Sequence, residues 1–350
     1  TLSVAAPAFT LSSSSETRTV NTAATGFSIN STGGAIASFA ISATPAGMSF
    51  NTLTGALTGT PTTVASATSY TVTATNATGS TTQTFTLTVS RATQATLSIA
   101  TLTTSTKAFP YSQALSITTS GGSGSGATTF AITSGGSASG CALSDSTATA
   151  TITATTVGTC LIQATKAADA TYDATTSAAA TFTFTKATQS ITFTNPADIT
   201  YGTSPSSLSA TSTSTLTVAF TTATSGVCTV SGTTVTVVSV GTCTINANQA
   251  GNADYEAASQ VSQSFTIAKA TPNLSNFANL SKTTANAPFT LSPPTVANSL
   301  PGSFTYTSAT TATATISGAT VTLGSAGTVS YTHLRAHETG RNLVCRLLLE

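Results

Sequence analysis

The chain has 350 residues, of which 39% are hydrophobic and only 5% are charged, and its net charge is +1. Because average domains carry about a quarter charged residues, hydroxyl side chains must solvate most of this surface. The few scattered charges cannot form the basic patch that nucleic-acid binding needs, and no run of roughly 18 apolar residues predicts a membrane-spanning helix.

Three segments with a common ending divide the chain. They read FTLTVSRATQ, FTFTKATQ and FTIAKATP, and in each of them apolar and hydroxyl residues alternate before a basic residue and Ala-Thr. This alternation is the period of a strand with one buried face. The basic residues Arg91, Lys186 and Lys269 are spaced close to the ~100 residues of a β-sandwich domain. The predicted modules are 1–91, 92–186, 187–269 and an incomplete fourth, 270–328.

Short runs such as SYTVTATN, ATATITATTV and CTINANQ lie between these endings, bounded by Gly-, Ser- and Asn-rich turns. Such runs favour strands, and no segment shows a sustained helical period, so the predicted fold class is all-β, a tandem array of β-sandwiches. Only about one or two residues without strand character separate the modules, too few for a flexible linker. We therefore expect a semi-rigid rod.

The first module carries the most specific motif. STGGAIASFAISATPAGMSFNTLTGALTGTPT, followed by YTVTATNATGSTTQTFTLTV, resembles an immunoglobulin-like repeat of bacterial extracellular and surface proteins. In that family Gly33, Gly34, the Pro-Ala-Gly-Met-Ser-Phe run and the segment 55–61 recur as turn and strand punctuation. The resemblance covers nearly all of residues 1–91. It implies an immunoglobulin-like sandwich and no activity.

The second and third modules resemble another bacterial immunoglobulin-like repeat, through VGTCLIQATKAADATYDA and VGTCTINANQAGNADYEA. Tyr172 and Tyr255 occupy equivalent positions in a late loop. Either tyrosine could stack on a ligand, or it could pack its ring on the end of the sandwich with its hydroxyl bonded to the backbone. We favour the packing role for both.

Four cysteines fall in two equivalent pairs, Cys141 with Cys160 and Cys228 with Cys243. Four cysteines allow three connectivities, but their shared spacing favours one disulfide within each module. A structural zinc site needs about four Cys or His ligands, and each module offers two cysteines and no histidine. Disulfides indicate an oxidising compartment.

The fourth module ends early. Aligning its Ser317-Gly318 with Ser231-Gly232 places Thr328 opposite Thr242, about two strands before the end of the third module. We therefore expect 270–328 to expose an apolar face and an unpaired edge, and to be the least stable part of the chain.

The last segment, 329–350, differs from everything before it. It contains both histidines, His333 and His337, and Cys345, which could suggest a metal site, while NLVCRLLLE could form a short partner helix. However, VSYTHLRAHET and NLVCRLLL are similar to the two constant parts of a translated transposase-type sequencing adapter, separated by the place of its variable index. We therefore interpret 329–350 as a non-native tail.

Without this tail the chain has no histidine, so a Ser-His-Asp or Cys-His nucleophile is excluded. Asp169 with Asp173, and Asp254 with Glu256, are the only close carboxylate pairs. Calcium usually takes 6 to 8 oxygens, so we expect solvated loops there rather than a site. The sequence predicts no catalytic residue, no metal and no cofactor.

These features predict a non-catalytic structural or adhesive stalk of a large bacterial secreted or cell-surface protein, of which this chain is an internal fragment. The sequence does not identify its partner; surface glycans and host or matrix proteins are the candidates. The alternative is a carbohydrate-binding or spacer region beside a secreted polysaccharide-degrading enzyme. The lack of Trp counts against sugar binding but not against a spacer.

Overall fold

The computed structural model describes residues 4–270, 274–275, 280–283, 285–293, 295–296, 303–325, 327–336 and 343–349. Every regular element in these residues is a β-strand, which confirms the all-β prediction. The chain divides into two compact units, Thr1–Ala187 and Thr188–Glu350. Two separate hydrophobic cores lie in each unit. Among the described residues there is no long, apolar helix of the kind that spans a membrane.

In the first module, residues 4–91 form nine strands. They are β1 (Phe9–Leu11), β2 (Ser15–Thr19), β3 (Ala24–Phe27), β4 (Ile29–Ser31), β5 (Ser38–Ile41), β6 (Met48–Phe50), β7 (Leu57–Gly59), β8 (Ala65–Asn76) and β9 (Gly79–Ser90). One sheet has the order β2-β9-β8-β5, and the remaining strands pair as β3-β7-β6 and β1-β4. Phe27 and Phe85 pack in the core with ring centroids 4.9 Å apart.

The second module contains ten strands. They are β10 (Ser98–Leu102), β11 (Thr106–Ala108), β12 (Ser112–Ala114), β13 (Ile117–Ser120), β14 (Thr128–Thr133), β15 (Ala142–Leu143), β16 (Thr151–Thr153), β17 (Gly158–Lys166), β18 (Thr175–Thr176) and β19 (Ala180–Thr185). Its sheets are β11-β19-β17-β14 with β18 added to β17, β12-β16-β15, and β10-β13. Phe182 and Phe184 of β19 are buried between them.

The third module contains eight strands. They are β20 (Ile191–Phe193), β21 (Ile199–Thr200), β22 (Ala210–Ser212), β23 (Ala219–Thr222), β24 (Cys228–Ser231), β25 (Thr234–Val237), β26 (Gly241–Asn248) and β27 (Val261–Ala268). They pair as β21-β27-β26-β23, β20-β22 and β24-β25. Phe265 and Ile267 of β27 are buried in its core.

The described residues of the fourth module form nine strands. They are β28 (Leu274–Ser275), β29 (Leu280–Lys282), β30 (Phe289–Thr290), β31 (Thr295–Val296), β32 (Ser303–Ser308), β33 (Ala314–Ser317), β34 (Thr320–Leu323), β35 (Gly327–Ala336) and β36 (Leu343–Leu349). They pair as β29-β36-β35-β32, β30-β34-β33 and β28-β31. Its core includes Leu291, Ala314, Val321 and Val329.

All four modules share one sheet pattern. The last strand lies between a late strand, which is antiparallel to it, and a short early strand, which is parallel. On β9 the buried residues are Phe85, Leu87 and Val89, with hydroxyl residues between them. The alternation in the sequence therefore corresponds to one buried face, and full burial of each such side chain contributes about 1.5–3 kcal/mol.

The hairpins β24–β25 and β33–β34 have the same register. Ser231 pairs with Thr234, and Ser317 pairs with Thr320. Gly232 and Gly318 both have φ of 60°, a left-handed conformation that glycine adopts without steric cost. The equivalence that aligns the fourth module with the third is thus present in the backbone.

The end of the fourth module differs from the expectation of an incomplete sheet. β35 pairs with β32, and β36 pairs with both β35 and β29, so the two last strand positions are filled by 327–336 and 343–349. The helix considered for NLVCRLLLE is not formed, because 343–349 is a strand. Apolar, β-prone segments satisfy the free backbone groups of an otherwise open edge. His337 lies outside the described residues, and the non-native origin of 329–350 stays a prediction.

Truncation after Thr328 tests how far the fourth module depends on this segment. The truncation removes the partners of β29 and β32, so the amides of Ser303–Ser308 should exchange faster in the shortened chain. Hydrogen exchange with mass spectrometry of both chains measures this, and the first three modules serve as the internal control. Unchanged protection at 303–308 in the shortened chain would contradict the dependence of the fourth module on 329–350. Protection there equal to that of the first three modules would contradict the expected low stability of 270–328.

Candidate functional site at the module ends

Each of the second and third modules contains one disulfide, and the pairs are those that the sequence favours. Cys141 is joined to Cys160 and Cys228 to Cys243, with Cα atoms 5.8 and 5.7 Å apart. Each bond fixes a hairpin to the strand beside the last strand of its module. Loops of 19 and 15 residues are closed, and the loss of unfolded conformations stabilises by about 3 kcal/mol in the chain-entropy model.

The joint between the first two modules is one residue long. Ser90 still belongs to the first module, since its carbonyl accepts a hydrogen bond from the amide of Val20 at 2.9 Å. Ala92 already belongs to the second, where its amide donates to Thr171 O at 2.7 Å and its carbonyl accepts from Asp173 N at 2.9 Å. The residue between them, Arg91, donates through Nε to the carbonyl of Asp169 at 2.7 Å.

Gln94 attaches the beginning of the second module to its late loop. Its Nε2 donates to the carbonyls of Asp173 at 2.7 Å and Ala167 at 3.3 Å, and its Oε1 accepts from Gly124 N at 3.3 Å. Only 7% of Gln94 is exposed. Its buried side-chain amide thus provides hydrogen-bond partners for three backbone groups in two loops, which water would otherwise have to provide.

Gln189 has the same role in the third module. Its Nε2 donates to Glu256 O at 2.6 Å and to Gln249 Oε1 at 2.9 Å, and its Oε1 accepts a hydrogen bond from Ser214. The Gln of RATQ and KATQ is therefore the contact between the start of a module and its late loop. FTIAKATP has Pro272 at this place, so the fourth module has no such side-chain amide.

Asp169 organises the late loop of the second module. Its Oδ1 accepts from the amides of Tyr172 at 2.7 Å and Thr171 at 2.8 Å, and its Oδ2 accepts from Ser125 N at 2.6 Å. The backbone bonds from Tyr172, Ser125 and Thr171 favour the ionised form and hold the pKa of Asp169 well below its usual range. In the third module Asn252 accepts from Asp254 N and Tyr255 N in the same way.

These hydrogen bonds show that the carboxylate of Asp169, one of those considered for a calcium site, accepts backbone N–H groups of its own module. The oxygens of Asp169 accept backbone N–H groups, and a neutral Asn makes the equivalent turn in the third module. Calcium sites gather several carboxylates. Among the described residues, no group of three or more His, Cys, Asp or Glu could hold a metal ion. Tyr172 and Tyr255 are half-buried in these loops, and their packing role stays a prediction.

Glu16 is the acidic residue of the first module, and it is also held by local contacts. Its carboxylate accepts from Arg18 Nε at 2.5 Å, Thr25 N at 2.9 Å and Gly26 N at 2.7 Å. Partial burial opposes ionisation, but the hydrogen bonds from Arg18, Thr25 and Gly26 outweigh it and lower the pKa of Glu16. The hydrogen bonds from Thr25 and Gly26 to Glu16 thus fix β3 to β2.

Comparison with known proteins agrees with this architecture. Residues 1–90 match the family model described as "Putative Ig domain", which is about a quarter of the chain. No curated protein matches the chain. The described residues form an all-β array, and its first module matches a known immunoglobulin-like domain family.

Solved structures similar to the chain are also multidomain. Mouse protocadherin-24 EC1-3 has 11% identity over 75% of this chain and 99% of its own, with a TM-score of 0.33. Sidekick-1 immunoglobulin domains 1-5 have 14% identity over 99% and 80%, with a TM-score of 0.31. Domains 1-6 of surface layer protein SbsC have 14% identity over 97% and 54%, with a TM-score of 0.24. At such TM-scores these similarities support no inference about function.

Replacing Gln94 tests the attachment of the module start to the late loop. Gln94→Ala leaves two carbonyls and one amide without their partner, and should lower the free energy of local opening by about 1–3 kcal/mol. Native-state hydrogen exchange at 121–126 and 167–173 measures the change. Gln113→Ala is the matched control, since Gln113 makes one exposed bond to Ala114 O. Equal effects of the two substitutions would contradict the role of Gln94.

Asp169→Asn tests the electrostatic part of the loop. The Asn side chain keeps one carbonyl oxygen, as Asn252 has, to accept the turn amides. It loses the second oxygen, which accepts from Ser125 N, and the negative charge. Because the folded pKa is depressed, the contribution of Asp169 is complete above about pH 4 and decreases as the pH falls towards about 2. Denaturation of both proteins across this range should show the advantage of Asp169 shrinking. An advantage independent of pH would contradict the depressed pKa.

Proposed function

We propose that this chain is a non-catalytic structural and adhesive stalk region of a large bacterial secreted or cell-surface protein. The observation that carries the proposal is the joint at Arg91. Ser90 is bonded to the first module and Ala92 to the second, so a pull on one module passes to the next through one residue. A spacer that projects a distal domain needs such short, hydrogen-bonded joints, because a flexible Gly/Ser linker would let the domains collapse together.

The disulfides support a load-bearing role. Each lies inside its module, so the enclosed residues cannot extend when the module is pulled from its first and last strands. Oxidised cysteines are typical of proteins outside the reducing cytoplasm. The low charge and the many Ser and Thr residues give a neutral, hydrated surface. An extracellular or cell-surface location fits all three features.

Force spectroscopy of the full chain tests the mechanical role. Pulled from its termini under oxidising conditions, the second and third modules should unfold with extensions that exclude the residues inside their disulfides. Reduction should add roughly 60–70 Å for the 19-residue loop and roughly 50–55 Å for the 15-residue loop, at ~3.3–3.6 Å per residue.

The double variant Cys228→Ser with Cys243→Ser is the matched control, because reduction should then add only the longer increment. Extension without any resisted step would contradict a stalk. Saturable binding on a glycan array, lost on substitution of Tyr172 or Tyr255, would instead favour the carbohydrate-binding alternative.

A further inference from the structure

A cleft of about 370 Å³ lies in the third module between the loop 201–205 and β25. Its walls are the half-buried Tyr201, the loop that follows it and residues 235–237, and none of the lining residues is charged. The volume is in the range of small-ligand pockets, roughly 300–1,000 Å³. Beyond the cleft, Leu208 N donates to Thr233 O at 2.9 Å and joins the loop to the hairpin. This bond limits the length of the cleft, which therefore suits a compact ligand rather than a strand.

Backbone hydrogen bonds identify the equivalent residues of the second module. Phe109 stands at the place of Tyr201, because the amide of each donates to the last residue of β19 or β27. Tyr111 stands at the place of Ser204, because each lies four residues before a leucine whose amide donates to the residue just before β16 or β25. The second module therefore shows what occupies this place when the cleft is closed.

A phenol ring occupies it. Tyr111 is only 7% exposed. Its ring packs edge-on against that of Phe109, with centroids 5.2 Å apart, and against that of Phe184 at 5.6 Å. The third module has the small Ser204 at this place, so Tyr201 borders a cleft where Phe109 borders a ring. The cleft thus corresponds in position to one phenol side chain.

Two backbone amides of β25 face the cleft. β24 and β25 pair antiparallel, and Val238 N donates to Val227 O at the end of their ladder. Residues in such a ladder alternate between bonding their partner and facing away, so the amides of Val235 and Val237 face away from β24. Neither amide has an acceptor among the described residues. Both can therefore donate to an oxygen atom of a ligand.

We propose that this cleft binds a neutral phenol, in the place that Tyr111 takes in the second module. The ring packs against Tyr201 in the edge-on or offset arrangement that aromatic pairs prefer, and its oxygen accepts from Val235 N or Val237 N. Uncharged walls would leave a carboxylate or an ammonium group without a partner, which disfavours charged ligands. A free phenol and the tyrosine side chain of a partner protein share this chemistry. The site is independent of the mechanical role of the joints.

Titration of the full chain with p-cresol, followed by NMR of the backbone amides, tests the site. The signals of Val235 and Val237 should shift saturably, whereas those of Ile152 and Ala154, the equivalent residues of the closed second module, should not. Toluene lacks the hydroxyl group and should bind roughly three- to tenfold more weakly, because one hydrogen bond is lost.

Ser204→Tyr supplies the ring from the chain itself and should abolish the binding of p-cresol. Ser206→Tyr is the matched control, since Ser206 is exposed and lies outside the cleft, and it should leave binding unchanged. Should Ser204→Tyr fail to fold, Tyr201→Leu provides a second measurement. It removes the aromatic neighbour but keeps an apolar side chain, and it should weaken binding roughly two- to tenfold.

A capped peptide with a central tyrosine distinguishes the two sources of the ligand. Binding of both the peptide and p-cresol supports a phenol site that a partner's tyrosine can reach, and binding of p-cresol alone supports a site for free phenols. The proposal is overturned if p-cresol gives no saturable shift, if toluene binds equally well, or if the Ser204 and Ser206 variants bind alike. Tighter binding of methyl glucoside than of p-cresol would assign the cleft to a sugar and would also overturn it.

Discussion

The pairing of the last strand with its two neighbours is the interaction on which each module depends. An antiparallel strand lies on one side of it and a short parallel strand from the beginning of the module on the other. The parallel strand ties the start of the module to its end. Because Phe85, Phe182 and Phe265 point into the core from this central strand, its pairing and the burial of the largest side chains form together.

The same strand explains how the first two modules are joined. β9 ends at Ser90, and two residues later the chain is already bonded to the late loop of the second module. Gln94 then supplies the side-chain amide that the loop carbonyls need. These contacts are hydrogen bonds and involve no apolar side chain or ion pair. Backbone and side-chain amide hydrogen bonds, rather than a separate linker segment, therefore connect the first module to the second.

Two modules of one type can nevertheless present different surfaces. The segment 144–150 covers the strand edges of the second module, and the short turn at Gly232 leaves those of the third open. The core contacts around Cys160 and Cys243 are unaffected, since both cysteines remain fully buried. A change in the length of one hairpin therefore alters which strand edges a module leaves uncovered, while its sandwich and its disulfide keep the same form.

Several of these features follow from the sequence because they depend on local pattern. The two-residue period of FTLTV predicts a half-buried strand, and Phe85, Leu87 and Val89 are buried accordingly. The equal contexts of the two cysteine pairs indicate their connectivity, and the Ser-Gly dipeptides locate the two hairpins of equal register. The shared Gln of RATQ and KATQ was visible as a repeat, but its partners were not, since Asp173 and Glu256 lie far along the chain.

What the sequence determined by itself is the all-β fold and the two disulfides, because strand period, turn residues and cysteine spacing are encoded over short distances. The tertiary structure alone decided which backbone groups remain unpaired. Whether the amide of Phe220 faces its own ladder or an uncovered edge depends on the register of β23 with β26 and on a segment that the third module lacks. The same holds for the fourth module, where β29 and β32 pair with strands from 327–349. Pairing between distant strands is a property of the folded chain, and a sequence pattern specifies only that each strand has a face to bury and an edge to satisfy.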